Sequence, residues 1–362
     1  MIVSALTLTH FRNFESLTVP FSPKLNVLYG DNGSGKTNLL EGIFVLCLGR
    51  SQRGAADSVL LQTGQEVYRL EGVVCHDGQE HTLAVAYQRA GRRRITIDQS
   101  PVRQSELYDR FCVVSAGPED SEIISGPPSM RRLFLDIYLS QFSRRYLVDL
   151  TDYQRALAQK NAALKAEMDP SPFESILIST GARLIQARVQ FTTELSQSAA
   201  ESYRAIAQGE GLELRYEPSV PCGAESMDIP AIEQSFEIRL ASLAERERAA
   251  HTSLVGPHRD DLAIEIKGMP ARTFGSQGQW RTTAIALKLA VYDLLKRKRE
   301  TTPILLLDEI FAELDRGRSQ ALVEAFAGYE QLFLTTAGEP PVGLAAESRK
   351  FRIASGAIEE IH

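Results

Sequence analysis

The octapeptide Gly30-Asp31-Asn32-Gly33-Ser34-Gly35-Lys36-Thr37 sets the tightest limit on what this chain can fold into. It fits the pattern GxxxxGK[ST] and lies between a short apolar strand at 24–29 and a helical pattern at 36–48. Its glycines let the backbone wrap closely round a phosphate chain. Backbone N–H groups and the helix N-terminus then face the anion. The pattern predicts Lys36 on the β- and γ-phosphates of a nucleotide such as ATP, with the Thr37 hydroxyl on Mg²⁺. A loop of this kind needs a strand before it and a helix after it, which commits this part of the chain to an α/β fold.

Two further motifs belong with the loop. Pro303-Ile304-Leu305-Leu306-Leu307-Asp308-Glu309 is an apolar run closing on two acids. A strand apolar on both faces is typical of the centre of a parallel sheet. Asp308 is placed to hold Mg²⁺, directly or through water, and Glu309 to accept a proton from the attacking water. The other motif is Phe274-Gly275-Ser276-Gln277-Gly278-Gln279-Trp280, leading into apolar positions Trp280, Ala284, Leu287, Val291 and Leu294 at helical spacing. Ser276 and Gly278 therefore sit at a helix N-terminus, where free N–H groups and the helix dipole favour an anion. Alone, Ser-Gln-Gly-Gln reads as an ordinary helix cap. With the P-loop already serving its own nucleotide, a second anion site suggests service to the nucleotide of a partner subunit.

At 362 residues the chain exceeds the ~250–300 at which single cores stop growing, so two domains are expected. Strand-like stretches at 2–9 and 24–29, the helix at 36–48 with one apolar face, and further strands at 68–75, 81–88, 94–97 and 111–115 make up the first part. Long helical patterns follow: one at 129–167, stopped by Pro170 and Pro172, and one at 173–208 whose apolar stripe runs from Phe173 through Leu184 and Leu195 to Ile206. A short strand at 212–216, a Pro/Gly-rich loop and a charged helix at 229–248 complete this block. From Leu254 the β/α alternation returns. The expected organisation is an α/β head at 1–120 and 255–362, with a mixed sheet and helices, split by a mainly helical lobe at 121–254.

Composition excludes some classes. Hydrophobic residues at 43% and charged residues at 24% fit a water-soluble globular chain. The longest apolar runs fall far short of the ~18 residues that span a bilayer, and the N-terminus shows no secretory pattern. Cys47, Cys75, Cys112 and Cys222 are scattered without a CxxC pair, which fits a reducing cytoplasm. A net charge of −6 argues against coating nucleic acid with a uniformly basic surface. DNA binding has to use local clusters such as Arg92–Arg94, Arg131-Arg132, Arg144-Arg145 and Lys296–Arg299, each of which also reads as a solvated face or helix end.

The P-loop, Ser-Gln-Gly-Gln, Asp308-Glu309 and the following Ala312-Glu313-Leu314-Asp315 together resemble the ABC-type ATPases of DNA repair and chromosome maintenance. Within these, three stretches resemble the RecF family: His10-Phe11-Arg12-Asn13-Phe14, the segment 127–136 with Arg131-Arg132 and Phe134-Leu135-Asp136, and Gly256-Pro257-His258-Arg259-Asp260-Asp261-Leu262. The resemblance spans nearly the whole chain. It implies an ABC-type head that dimerises on ATP, binds DNA (duplex and single-strand/duplex junctions), and helps RecA displace single-strand-binding protein in gap repair, working with RecR and RecO. It further implies that Ser276, with Gly278 and Gln279, contacts the partner's γ-phosphate, that Asp315 lies at the dimer interface, and that Arg12 and Asn13 line the nucleotide pocket. For Arg12 and Asn13 a surface turn remains an alternative, and His258 and Arg259 have no derivable role.

The chain departs from transport-type heads in two ways. The strand after Asp308-Glu309 runs Leu332-Phe333-Leu334-Thr335-Thr336 and carries no switch His. Thr336 can donate a hydrogen bond but cannot take up a proton, so slow hydrolysis is expected. No Gln follows Val114 where a Q-loop places one; Glu119 or Asp120 is the nearest substitute. A transporter ATPase subunit, a coiled-coil chromosome-structuring ATPase and a small-molecule kinase stand as competing readings. Each explains fewer of these features.

Overall fold

The computed structural model describes residues 1–89, 91–207, 211–221, 228–299, 301–312, 314, 316–326, 328–338, 348–354 and 356–361. Asp315 lies outside them. In chain order the strands are β1 (Ile2–Phe11), β2 (Phe14–Pro20), β3 (Leu25–Tyr29), β4 (Val67–His76), β5 (Gln79–Gln88), β6 (Arg94–Ile97), β7 (Ser100–Pro101), β8 (Val113–Ala116), β9 (Leu212–Glu217), β10 (Asp261–Ile266), β11 (Met269–Pro270), β12 (Ile304–Asp308), β13 (Leu332–Thr336), β14 (Ser348–Ala354) and β15 (Ala357–Ile361). The helices are α1 (Lys36–Leu48), α2 (Asp57–Leu60), α3 (Gln104–Arg110), α4 (Glu122–Ser125), α5 (Pro128–Phe142), α6 (Arg144–Lys165), α7 (Glu174–Ala207), α8 (Ile229–Ala250), α9 (Ala271–Phe274), α10 (Gln277–Arg299) and α11 (Arg316–Phe326).

The chain divides into two compact units, one of Met1–Ser121, Glu201–Gly209 and Ser276–His362, the other of Glu122–Ala200 and Glu210–Gly275. The expected head included 255–275. That segment instead belongs with the second unit, because β10 pairs antiparallel with β9 along its whole length.

The first unit holds two six-stranded sheets. One is antiparallel, in the order β2-β1-β4-β5-β6-β7; the other runs β15-β14-β3-β13-β12-β8, with every neighbour parallel except β14 and β15. Helix α1 touches β1, β4 and β5 of the first sheet and β8, β12 and β13 of the second. Sequence periodicity predicted one apolar face for this helix. Instead everything from Leu39 to Leu48 is buried, Glu41 included, because a sheet covers each side. Strand β12 is buried at every position, as expected for the middle of a parallel sheet.

In the second unit the single helix expected at 129–167 is two helices. Ser143 leaves the helical conformation and its hydroxyl accepts the Tyr146 N–H at 3.2 Å, capping α6. The unit also carries a three-stranded sheet, β11-β10-β9, where the sequence suggested one strand. Two of the family-like stretches meet here. Arg131 grips Asp261 with two bonds of 2.6 and 2.9 Å, Arg132 donates to the Asp260 carbonyl, and the buried Arg188 joins Asp136, the Tyr146 and Tyr216 hydroxyls and the Pro257 carbonyl. His258 bonds the Tyr153 hydroxyl at 2.6 Å, and burial pulls its pKa down to about 4. Arg259 donates twice to the Ser253 carbonyl. His258 thus serves the interior of this unit, and the exposed Arg259 ties its turn to Ser253. At neutral pH the imidazole is uncharged and its partners are satisfied.

Lys160 of α6 is fully buried against Glu247 of α8 at 2.7 Å and Glu174 of α7 at 3.0 Å, so one cation ties three helices. Lys160→Met keeps most of the side-chain length but strands a buried carboxylate. We expect it to lower the unfolding free energy by about 3–5 kcal/mol, read by urea denaturation of this unit's helical signal; an unchanged midpoint would show that the ion pair does not hold these helices together.

Candidate functional site

The cleft opens where the parallel strands end. Strands β3, β13 and β12 lie side by side, with Thr336 opposite Tyr29 and Thr335 opposite Asp308. Strand β8 flanks β12. The segments leaving the carboxyl ends of β3, β8 and β12 meet at one edge, the usual place for a ligand in an open α/β sheet.

Between β3 and α1 the backbone takes positive φ at Gly30, Gly33 and Gly35. Close approach disfavours a side chain at two of them: a Cβ would lie 2.2 Å from the Ile353 carbonyl oxygen at Gly30, and 2.7 Å from Asn13 Nδ2 at Gly35. Ser34 N–H closes the turn onto the Asp31 carbonyl. Lys36 is nearly buried; its Nζ donates to the carbonyls of Gly30 (2.9 Å) and Asp31 (3.0 Å) and stands 3.3 Å from Glu309 Oε1. Thr37 Oγ1 donates to Asp308 Oδ2 at 2.8 Å. Asn32, Gly33, Gly35 to Thr37, Asp308 and Glu309 line a shared cleft of about 310 Å³. The hydroxyl of Thr37 and carboxylate of Asp308 are hard oxygen donors that already meet. They fit a Mg²⁺ ion that takes its remaining ligands from water and phosphate.

Three neighbours of this cleft were not singled out in the sequence. Thr335, 1% exposed, donates to Asp308 Oδ1 at 2.6 Å and accepts the Glu309 N–H at 2.9 Å. The available signal is a hydroxyl at the end of an otherwise apolar central strand; its neighbour Thr336, the expected counterpart of a switch His, accepts the N–H of Gly338 instead. Arg53 lines the cleft and pairs with Glu119 at 2.7 Å. Of the two acids considered for the missing Gln, Glu119 is therefore the one that faces the cleft. Asp120 accepts the Gly117 N–H and pairs with Lys288 of α10 at 2.7 Å. Arg281, also of α10, donates to the Glu309 carbonyl at 2.8 Å.

Other expected residues lie elsewhere. Arg12 makes a two-bond grip on the buried Glu41 of α1, at 2.8 and 3.1 Å, and is not among the residues lining the cleft. Asn13 braces the loop from behind, donating to the Ser34 carbonyl and accepting from Asn38. Ser276 and Gln279 cap α10 reciprocally: Ser276 N–H donates to Gln279 Oε1 at 2.9 Å, and Gln279 N–H to Ser276 Oγ at 3.3 Å. Neither they nor Gly278 line the cleft of their own chain. The basic clusters are partly committed to internal pairing, since Arg93 holds Asp57, Arg131 holds Asp261, Arg145 holds Asp149 and Arg299 donates to the Tyr108 and Asp109 carbonyls. Arg92, Arg94, Lys296 and Arg297 are exposed.

Thr335→Val preserves shape but removes both hydroxyl bonds and leaves the Glu309 N–H unpaired. A stability loss of about 1–3 kcal/mol is expected, together with a higher Mg²⁺ requirement for nucleotide binding as Asp308 loses its orientation. Thr335→Ser should restore both. Parent-like Mg²⁺ titrations for the Val variant would show that Asp308 needs no second anchor.

Residues 2–355 match the model of the RecF/RecN/SMC N-terminal domain. The chain is 36% identical over 370 residues to the DNA replication and repair protein RecF of Lachnoclostridium phytofermentans, covering 99% of this chain and 100% of that one. It is 37% identical to the same protein from Symbiobacterium thermophilum, with 99% and 98% covered. A solved structure described as the recombination mediator protein RecF with ATP in the RecFOR pathway superposes with a TM-score of 0.92 at 30% identity, covering 100% of this chain and 98% of the other. The Smc head domain from Pyrococcus furiosus shares the fold at a TM-score of 0.56 and 16% identity. With its two-sheet head, its phosphate loop at the strand ends and its full-length likeness to these repair proteins, the chain belongs to the RecF family of ABC-type ATPases.

Proposed function

We propose that this chain is an ATP-dependent, DNA-binding recombination mediator of gap repair. It binds ATP with Mg²⁺, dimerises on the nucleotide, engages DNA as the dimer, and resets by slow hydrolysis. The observation that carries this reading is a separation within one unit. Lys36, Thr37, Asp308 and Glu309 share a cleft, whereas Ser276, Gly278 and Gln279 head a helix and line no part of it. A second chain that presents its α10 N-terminus to the first chain's γ-phosphate uses both features at once.

Lys36 exchanges the carbonyls of Gly30 and Asp31 for phosphate oxygens, and in doing so leaves Glu309 free to face water. Thr37 and Asp308 would hold Mg²⁺, which neutralises phosphate charge when bound. Glu309 accepts the proton of the attacking water. The Thr336 hydroxyl cannot store a proton, which supports slow turnover. Glu119 and Arg53 close one side of the cleft. Asp315 is assigned to the dimer interface on family likeness alone. The relatives' names concern DNA replication and repair and the RecFOR pathway and support action in that pathway; the place beside RecR and RecO in loading RecA, in the cytoplasm, is assigned on family likeness.

DNA binding tests the whole scheme, because a monomer of net charge −6 repels phosphate. Two copies of the exposed arginine and lysine clusters on one dimer add their phosphate contacts, each contributing a slope of about −0.9 in log affinity against log salt for duplex DNA. We expect tighter duplex binding with ATP than with ADP, and a steeper salt dependence in the ATP state. Ser276→Arg should bind ATP like the parent, stay monomeric in light scattering, and lose both differences. Equal affinity and slope in the two nucleotide states would refute coupling of DNA binding to the dimer.

A further inference from the structure

Glu309 has φ +47°, a left-handed conformation that non-glycine residues rarely hold unless their surroundings impose it. The surroundings here grip its peptide groups on both sides of Cα. Its N–H donates to Thr335 of β13, and its carbonyl accepts from Arg281 Nη2 at 2.8 Å and from Ala312 N–H at 3.2 Å. Arg281 sits in the second turn of α10, five residues past Ser276. Beside it, Arg318 of α11 reaches back to the same turns, donating to Thr282 Oγ1 at 3.0 Å and to the Gly278 carbonyl at 3.4 Å. Both ends of the segment 309–318 are thereby tied to the start of the helix that carries the Ser-Gln-Gly-Gln motif. A fourth contact of Glu309 is its carboxylate on Lys36, an orientation that serves neither phosphate binding nor water activation.

We propose that Arg281 is a positioning residue: it fixes the Glu309 backbone to the N-terminal turns of α10, so that engagement of this helix with a partner's nucleotide sets the direction of the Glu309 carboxylate in its own cleft. The inference rests on the proposed role of Glu309 as proton acceptor. A guanidinium suits the task because its rigid fork keeps one N–H on the carbonyl while its stem stays packed along the helix. A shift of α10 by a fraction of an ångström is then transmitted to the peptide that orients the base. No covalent step is added to the reaction. Arg281 is not among the residues lining the cleft.

The test is a set of variants of the full chain, assayed for ATP affinity, ATP-dependent mass in light scattering, and steady-state turnover with KM and kcat separated. Arg281→Met keeps the stem and loses the donor. It should bind ATP and dimerise within twofold of the parent, with kcat reduced ~10- to 100-fold, the loss expected from misplacing a reacting group by about 1 Å. Arg281→Lys, which still offers one N–H to the carbonyl, should recover most of kcat. In the Glu309→Gln background, Arg281→Met should cost nothing further, because the group it orients is already gone. Parent-like kcat in Arg281→Met, a raised KM at unchanged kcat, no rescue by Lys, or additive losses in the double variant would each overturn the proposal. Should Arg281→Met fail a thermal-unfolding control, Arg281→Gln, whose amide is too short to reach the carbonyl, decides on the same quantities. Unchanged turnover in Glu309→Gln alone would instead sink the functional reading beneath it, so the two failures are distinguishable.

Discussion

Asp308 is the residue on which the cleft depends. Its two carboxylate oxygens accept separately, one from Thr37 at the start of α1 and one from Thr335 at the end of β13, so two adjacent strands and the first helix converge on a single side chain. It is nearly buried, and a carboxylate withdrawn from water is tolerated only when its lone pairs are met. The parallel order β3-β13-β12 makes this possible. Parallel strands end together on one edge, so Asp308 of β12, Thr335 of β13 and Thr37, in the helix that follows β3, reach a common place. Thr335 passes the arrangement on to the next peptide by accepting the Glu309 N–H. One hydroxyl thus links Asp308, the proposed Mg²⁺ ligand, to Glu309, the proposed proton acceptor.

Much of the site was legible because its chemistry is written in contiguous residues. A phosphate loop needs its glycines, lysine and threonine in fixed succession, and a central strand ending in two acids is apolar on both faces whatever covers it. What escaped were contacts between segments far apart in the chain. Thr335 lies 27 residues from Asp308, and Arg281 lies 28 from Glu309; no local pattern encodes either pairing. Thr335 and Thr336 are the same residue type side by side, and only the strand register places one inside and the other at the rim. The helix at 36–48 was misread for a related reason. Helical periodicity reports a difference between faces, and a helix sheeted on two sides has little difference to report. The break at Ser143 is local, but serine is tolerated within helices, so a cap there competes with continuity.

The family-like stretches at 127–136 and 256–262 carry a different lesson. Strings of arginine, aspartate and histidine in a DNA-repair protein invite assignment to nucleic acid or catalysis. In the second unit several of them pair internally, Arg131 with Asp261 and Asp136 with Arg188 of α7, while Arg132 and Arg259 donate to backbone carbonyls. Removing one member of such a buried set is costly because its partner stays charged and unpaired. The constraint on these residues is therefore mutual, and it comes from folding.

The pairing order of the mostly parallel sheet also has a consequence for how the chain is made. Strand β3 is followed at once by α1, yet its two neighbours, β13 and β14, come from the last third of the chain. The N-terminal strand is likewise closed by Gln331, whose amide both donates to and accepts from the backbone of Val3. A ribosome adding 5–20 residues per second needs roughly 15–60 s to travel from the phosphate loop to β13. Once β4 to β7 have been added, and until β12 and β13 follow, α1 has one sheet to cover it and a bare apolar flank. The nascent head is in effect half a sandwich until synthesis is nearly complete, and it is in this window, rather than in the finished protein, that the chain most needs shielding from its neighbours.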